Sequence, residues 1–545
     1  MNTLRLLFVV ILLHTSILVT AQKNCNHTVE AQTSNIEGEG IAPGDTICLL
    51  PGQRSYLYIR NLNGTASKPI VIINRGGIST IDTDHFYGVK FSHCNHVKFI
   101  GTHDLTHDYG IRITRVAGGA GISVDELSTN IEIAYIEIAH TKVGGIYAKT
   151  DPDCTFVATR EKFTMSGIHI HHCYLHDIAD EGMYIGSSKY TGQHLTDCDT
   201  IVLPHLIHNV SIHDNIVERT GWDGIQVSSS PINCLIYNNI IRNDSERETP
   251  NQMSGILIGG GSDCDCYNNQ IFDGKGDGID IFGFGEMKIY NNLIVRAGKT
   301  YQPTVETAFR HGIFVGNAPD SASGRLKIMH NTIISPKTTG VRFFNSFTSG
   351  NLFFNNIITN PGSFAVNGAN AYLNSDGSQS AFSIKNNIFS EYPENIGFMN
   401  LNDDNYDLKP GSSAVNNGFN AGLNKISFDI LDRPRPHNGS FDIGAFESQD
   451  TYASIQENEG NRLLINMFPI PTNGILYLNV YVTSEEILSL IVTDLLGKQH
   501  SISASYYLQK GSQQISIDLS SLSKGAYLLH LQGKSNTIRK IVVIQ

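Results

Sequence analysis

Seven times in the middle of this chain an Asn, usually preceded by a second Asn, is followed two positions later by an aliphatic or Phe residue. The repeated Asn residues are Asn215, Asn239, Asn269, Asn292, Asn331, Asn356 and Asn387, spaced 24, 30, 23, 39, 25 and 31 residues apart. A unit near 23 residues that tolerates insertions is how a β-solenoid is written, because each coil buries its apolar edge only against its neighbours. The Asn has a physical reason to recur. At a bend repeated in every coil its amide can donate to the coil on one side and accept from the other, and it tolerates left-handed backbone.

A second column accompanies the first. The phrase Gly-apolar-x-apolar occurs at Gly110, Gly145, Gly182, Gly224, Gly255, Gly278, Gly312 and Gly340. Short alternation bounded by Gly is the pattern of a half-buried strand. Each coil therefore holds at least two short strands. Roughly ten to twelve coils are expected between about residues 45 and 445. Helical periodicity is confined to the N-terminus.

The ends speak of destination. Arg5, the apolar stretch Leu6 to Leu13 and Val19-Thr20-Ala21 read as a secretory signal over residues 1–21, with the mature chain starting at Gln22. A membrane anchor fits less well, since Thr15 and Ser16 interrupt a segment already short for a bilayer. No later segment is long and apolar enough to span, so no membrane span is expected in the mature protein. Residues 22–447 are expected to form the solenoid with terminal caps, and polar, acidic 448–465 a linker. The remainder, 466–545, lacks the Asn column and reads as short strands between turns, a small β-sandwich. Its motifs Phe468-Pro469-Ile470-Pro471-Thr472-Asn473-Gly474, Val492-Thr493-Asp494-Leu495-Leu496-Gly497-Lys498 and Lys524-Gly525-Ala526-Tyr527 resemble the C-terminal sorting domain of type IX secretion. The resemblance implies the type IX machinery as a partner and export through the outer membrane, to the cell surface or beyond. Just upstream, Asp432-Arg433-Pro434-Arg435-Pro436 and Phe441 to Glu447 resemble a closing segment of secreted β-helix proteins. A charged, Pro-bearing segment of that kind is expected to blunt the open solenoid end.

Net charge is −12 and no Lys or Arg run exceeds two, which argues against a nucleic-acid partner. Nine cysteines in an exported chain suggest disulfides, with at least one thiol left over. Cys234 and Cys264 each lie five residues before a column Asn, on adjacent coils, although Cys266 competes; Cys154 and Cys198 fall in equivalent loops of consecutive coils.

Stacked coils turn columns into sites. The residues preceding the Gly are Tyr109, Gly144, Glu181, Asp223, Ser254, Asp277, His311 and Thr339, and two places beyond it stand Arg112, Tyr147, Tyr184, Gln226, Leu257, Asp280, Phe314 and Arg342. Glu181 and Asp223 fall on adjacent coils, ~5 Å apart at the backbone, and Asp223 and Asp277 two coils and ~10 Å apart. Paired carboxyls at such spacing are what glycosidic cleavage uses. The plain alternative is that Asp-Gly is a favoured turn pair. Trp222, with Tyr184 and Tyr190, would offer sugar-stacking surfaces or simply cover the core. Long loops at 148–165, 187–208, 242–253 and 297–310 gather at these same coils. His171, His172, His176, His205, His208 and His213 read as stacked polar bends, and no metal ligands are assigned. Asp273, Asp277 and Asp280 are the place where calcium would fit, although Lys275 holds a ligand position of an EF-hand loop and no Glu closes it.

The Asn column, coil length and export signals together resemble the pectate-lyase-like right-handed parallel β-helix superfamily. Its members mostly act on extracellular polysaccharides, so an all-β right-handed parallel β-helix followed by a small β-sandwich is expected, as a monomer acting on such a glycan. Pro43-Gly44-Asp45-Thr46-Ile47 and Lys68-Pro69-Ile70-Val71-Ile72 are similar to the start of the alginate-lyase and chondroitinase-B-like branch. Arg310-His311-Gly312 resembles that branch's Arg-His-Gly triplet, whose Arg takes part in β-elimination. The branch's Lys-Ser motif is absent one coil earlier; Lys288 stands nearby with different neighbours. Three functions stay open: a glycoside hydrolase using Glu181, Asp223, Asp277 or Asp280; a uronate lyase using Arg310 or His311; and a glycan-binding or structural solenoid.

Overall fold

The computed structural model describes residues 24–101, 108–302, 309–317, 323–375, 382–420, 426–437, 439–449 and most of 463–544. The secretory signal and residues 450–462 of the linker lie outside the described residues. The chain divides into two compact units between residues 450 and 451.

The first unit is built from three parallel sheets of 13, 12 and 12 strands, with consecutive coils hydrogen-bonded in order. One coil shows the plan: Cys264–Tyr267 joins the first sheet, Gln270–Phe272 the second and Asp277–Ile281 the third. Aliphatic side chains alternate inward and stack in register, as in Ile225↔Ile256, Ile256↔Ile279 and Ile279↔Ile313. They form one core along the rod's length. Each fully buried Ile or Val is worth about 1.5–3 kcal/mol. The first sheet begins at His27–Val29, ahead of the first coil expected near residue 45, because the N-terminal coils carry no Asn to mark them.

The Asn column is a continuous ladder. The Nδ2 of Asn215, Asn239, Asn269, Asn292, Asn331 and Asn356 donates to the Oδ1 of the next Asn at 3.0, 3.0, 3.1, 3.0, 3.0 and 2.9 Å. The same oxygens accept the preceding Asn's backbone N–H, as Asn269 does from Asn239 at 3.1 Å. The left-handed conformation falls on the residue before each ladder Asn, from Asp214 at φ 54° to Asn386 at φ 47°. The two tasks expected of one Asn are thus split between neighbours. Toward the N-terminus Cys173 takes the ladder position, donating its N–H to Asn215 Oδ1 at 3.0 Å.

One phase assignment changes. Gly110 precedes Ile111–Val116, which pairs with Ser79–Thr83 and Ile136–Thr141 in the second sheet, not the third. Tyr109 and Arg112 therefore leave the two columns. The other seven Gly phrases belong to the third sheet.

Disulfides join Cys234 to Cys264, Cys154 to Cys198, and Cys25 to Cys48, while Cys94, Cys173 and Cys266 are buried thiols. The closing segment, expected over the open end, lies along the flank instead. Arg435 donates to Asn291 Oδ1 at 2.6 Å, Ala445 N–H to Thr332 Oγ1 at 2.9 Å, and Asn386 Nδ2 to Asn417 O at 2.8 Å. The cause is apolar: Leu293, Val295, Ile334 and Ile357 face outward from the second sheet and are covered by Ile396, Phe398, Tyr406, Ile443 and Phe446. A fully buried Arg435–Glu447 pair at 2.9 Å ties the segment together.

The second unit is an antiparallel β-sandwich of a three-stranded and a four-stranded sheet. Leu476, Leu478 and Val480 of one sheet and Leu490, Leu529 and Val542 of the other share its core. Among the described residues no helix is long and apolar enough to cross a membrane.

Candidate functional site

The third sheet places the site because of its glycines. A Cβ on Gly224 would stand 2.6 Å from Gly255 O and 2.8 Å from Ile241 Cγ2, and one on Gly278 would meet Gly312 O at 2.4 Å and Ile294 Cγ2 at 2.5 Å. Only Gly fits where the second and third sheets converge, so its phase repeats and the residue before it is held at one height in every coil. Successive backbone bonds from Gly182 N–H to Asp223 O, Gly224 to Ser254, Gly278 to His311 and Gly312 to Thr339 stack that column. The second column follows from register: Tyr184↔Gln226, Gln226↔Leu257, Leu257↔Asp280, Asp280↔Phe314. Neither column contributes to the apolar core.

Although they lie outside the core, these residues are covered. Asp223 is wholly buried, Glu181 is 2% exposed, Asp277 6% and Asp280 9%. Ser254 Oγ donates to Asp223 Oδ1 at 2.7 Å, and Tyr147 Oη donates to Glu181 Oε2 at 2.9 Å. The second oxygen of Asp223, one oxygen of Asp280 and the Gln226 carbonyl oxygen have no protein partner. Unsatisfied buried carboxylate oxygens are costly unless a ligand or water meets them. Arg310 stands beside the group: Nη1 is 3.5 Å from Asp277 Oδ2, and the guanidinium lies 4.8 Å from the Tyr301 ring centre. His311 donates its backbone N–H to Asp277, and its ring stacks on Phe314 at 5.9 Å.

Burial is the main force on these carboxyls. It pushes Asp223 well above the usual carboxylate range, against the Ser254 hydroxyl, with the charges of Glu181 and Asp244 adding to the rise. It does the same to Asp280, where Asp277 and Asp223 add and Arg310 opposes. Asp277 is raised by burial and held back by Arg310, so it is the carboxyl of the group with a cation beside it. Glu181 is raised by burial too. His311 is driven down to about 3 by burial and by the nearby Arg342 and Arg310, which leaves the imidazole neutral.

Asp244 is the member that column reasoning missed. Buried among these groups, with its second oxygen unpaired, it is raised to about 7 by burial. It sits at the start of an insertion, outside every column. Its only local sign is that Asn243 and Ser245 on either side are both left-handed.

Three of the residues named from the sequence have partners within the protein. Asp273 is not available to share calcium with Asp277 and Asp280, since Arg296 takes both of its oxygens, at 2.5 and 2.7 Å. The Tyr184 ring has Lys149 over it at 4.8 Å and Tyr147 edge-on at 5.4 Å. Tyr190 has Arg160 over its ring at 4.3 Å and the Gly261 backbone against it. These tyrosines are engaged by the protein's own loops, and Trp222 is half-buried at the corner before Asp223.

A pH dependence follows. A carboxyl that is harder to ionise when folded keeps its proton in the native state over a window where the unfolded chain has lost it. Stability is therefore full below the unfolded pKa and falls as pH rises toward the folded one. The carboxyls with lowered values, such as Glu126 and Glu132 at about 2, titrate below this window. Buried His311 and His330, whose values are lowered, work in the opposite sense below about pH 6.5. Urea unfolding is therefore compared between proteins: from about pH 4 to pH 7 the parent should lose stability relative to Asp244→Asn by an amount on the order of 4 kcal/mol. An unchanged slope in that variant would place Asp244 in contact with solvent.

Residues 205–389 match the family model described as right handed beta helix region, and 466–545 match that of the secretion system C-terminal sorting domain. The fold and these matches define an all-β exported protein. More particularly, it is a right-handed parallel β-helix protein with a type IX sorting domain, destined for the cell surface or the medium. No curated protein matches the chain. Solved structures similar to it include an alginate lyase from Paenibacillus sp. str. FPU-7 (14% identity, 59% of this chain and 99% of that one, TM-score 0.39). Another is the XylC complex with xylose (11%, 88% and 96%, TM-score 0.34). A third is the enzymatically active domain of bacteriophage CBA120 tailspike protein 2 (11%, 94% and 72%, TM-score 0.32).

Proposed function

We propose that this protein hydrolyses an extracellular polysaccharide at the outer face of the third sheet. The observation that carries the reading is the group of buried carboxyls, Asp223, Asp277 and Asp280 with Glu181 and Asp244, whose proton affinities are raised together and three of which, Asp223, Asp244 and Asp280, keep a buried oxygen without a protein partner. Groups that share a low-dielectric recess cannot all ionise, so some stay protonated near neutral pH and act as acids while a neighbour acts as base. Asp280 and Asp277 are the least buried of the group, and the contact with substrate is assigned to them on that ground.

In this reading the Asp280 carboxyl gives its proton to the glycosidic oxygen as the C–O bond breaks. Water attacks the anomeric carbon and loses its proton to Asp277, which Arg310 keeps the more ionisable of the two. Asp223, wholly enclosed, works through the proton affinity of Asp280 and does not touch the sugar. Elimination is less well supported: Arg310 is engaged with Asp277 and Tyr301, and His311 is too weak a base.

The test is incubation of the mature chain with a panel of neutral and uronate polysaccharides, following reducing ends and ultraviolet absorbance. Reducing ends without absorbance gain support hydrolysis. A parallel rise in both would make the protein a lyase, and retention on a glycan column without turnover would make it a binding solenoid.

A further inference from the structure

The corner between the first and second sheets holds a second group of side chains, independent of the carboxyl recess. The ladder's left-handed position carries Asn at most coils, but at two consecutive coils it carries His172 and Asp214, both at φ 54°. The residue before each is also a histidine, and His171 and His213 are register partners. Their rings stack at 4.9 Å and 9°. Two coils thus set a two-by-two patch, His171-His172 above His213-Asp214. His172, His213 and Asp214 each offer an atom within 4.8 Å of the other two. His171 Nδ1 stands 2.9 Å from His172 Nδ1, and His213 Nδ1 2.6 Å from Asp214 Oδ2.

Two imidazole nitrogens that close form a hydrogen bond only if one carries the proton. With both lone pairs turned inward, they have the spacing of two ligands at right angles about an ion with bonds of about 2.1 Å. An outer partner is also in place. Glu132 Oε1 lies 3.5 Å from His171 Nε2, the arrangement in which a carboxylate fixes the tautomer that frees Nδ1 for a metal. Lys98 holds Glu132 in turn at 2.6 Å. His172 is exposed and His171, His213 and Asp214 half-buried, so an ion enters from solvent without opening the core.

We propose that His172, His213 and Asp214, with His171 beside them, bind a divalent transition-metal ion of the zinc class. Imidazole and carboxylate donors suit zinc, nickel or copper, whereas an all-oxygen set would suit calcium. Because the ligands come from adjacent coils, the ion clamps one rung to the next at the corner between the first and second sheets.

The experiment uses the untagged mature chain, freed of metal with chelator, and follows Zn2+ by titration calorimetry and Co2+ by its visible spectrum. One equivalent is expected to bind, with a rise in melting temperature and a cobalt spectrum of nitrogen and oxygen ligation. His172→Ala, at an exposed position, should weaken binding at least about tenfold. His213→Phe keeps a flat ring between His171 and Tyr237, whose stack it occupies at 4.7 Å, and should weaken it as much. His194→Ala, in a separate exposed pair with Asp199, should leave affinity unchanged. Equal affinity in the wild type and in the His172→Ala, His213→Phe double variant would overturn the proposal, as would no detectable binding by the wild type.

Discussion

Asp280→Asn is expected to lower turnover of a polysaccharide substrate by about 10²–10⁴-fold, the contribution of a positioned general acid. Substrate affinity should stay near that of the parent. The amide keeps the shape and an oxygen acceptor but has no proton of the right acidity to give. Folding should survive, because removing an ionisable group from a recess that resists its charge relieves repulsion with Asp277 and Asp223. Asp223→Asn is the informative partner. As Asp223 is wholly buried and bonded to Ser254, its change should keep the rate within about tenfold and shift the alkaline limb of the pH profile to lower pH, because Asp280 loses a neighbour that raised it. If Asp223→Asn abolishes turnover while Asp280→Asn spares it, the roles are reversed. If both leave it intact, the recess is not the active site.

The columns were legible in the sequence because both rest on hard constraints. The Gly column exists because a Cβ at Gly224 or Gly278 would collide with the next coil's backbone. The ladder Asn exists because each must donate and accept at once. Once their phase is read, stacking of Glu181, Asp223, Ser254 and Asp277 follows with no knowledge of side-chain contacts. The Gly110 phrase misled because a second-sheet strand can open with the same four-residue pattern, and nothing local separates the two sheets. The flank segment had a sign that periodicity alone undervalues: Leu293-Ile294-Val295 is apolar on both faces and therefore needs cover outside as well as inside. Asp244 and the neighbours of Tyr184 and Tyr190 were not legible, since they come from insertions whose paths no repeat dictates. Lys149 over Tyr184 and Arg160 over Tyr190 are contacts of loop geometry.

Asn269→Ala should be the most damaging single truncation in the rod outside the core aliphatics. Asn269 Oδ1 accepts the Asn239 N–H at 3.1 Å and Nδ2 at 3.0 Å, and its own Nδ2 donates to Ile236 O at 2.9 Å and Asn292 Oδ1 at 3.1 Å. Asn239, Asn269 and Asn292 are all wholly buried, so water does not replace what is lost. Alanine leaves at least two donors of Asn239 and the Ile236 carbonyl short of partners, at about 1–3 kcal/mol each, hence roughly 3–6 kcal/mol in denaturant unfolding. Asp at the same position should be no rescue at neutral pH. It can accept from Asn239, but its second oxygen then faces the carbonyl oxygens of Ile236 and Asn292, which need a donor. Since solenoid coils interact only with their neighbours, the loss should appear as faster amide hydrogen exchange at the coils of Asn239 and Asn292, with the coils near His27 unaffected. A loss under about 1 kcal/mol would mean that the ladder follows from the coil geometry and does not help to hold it.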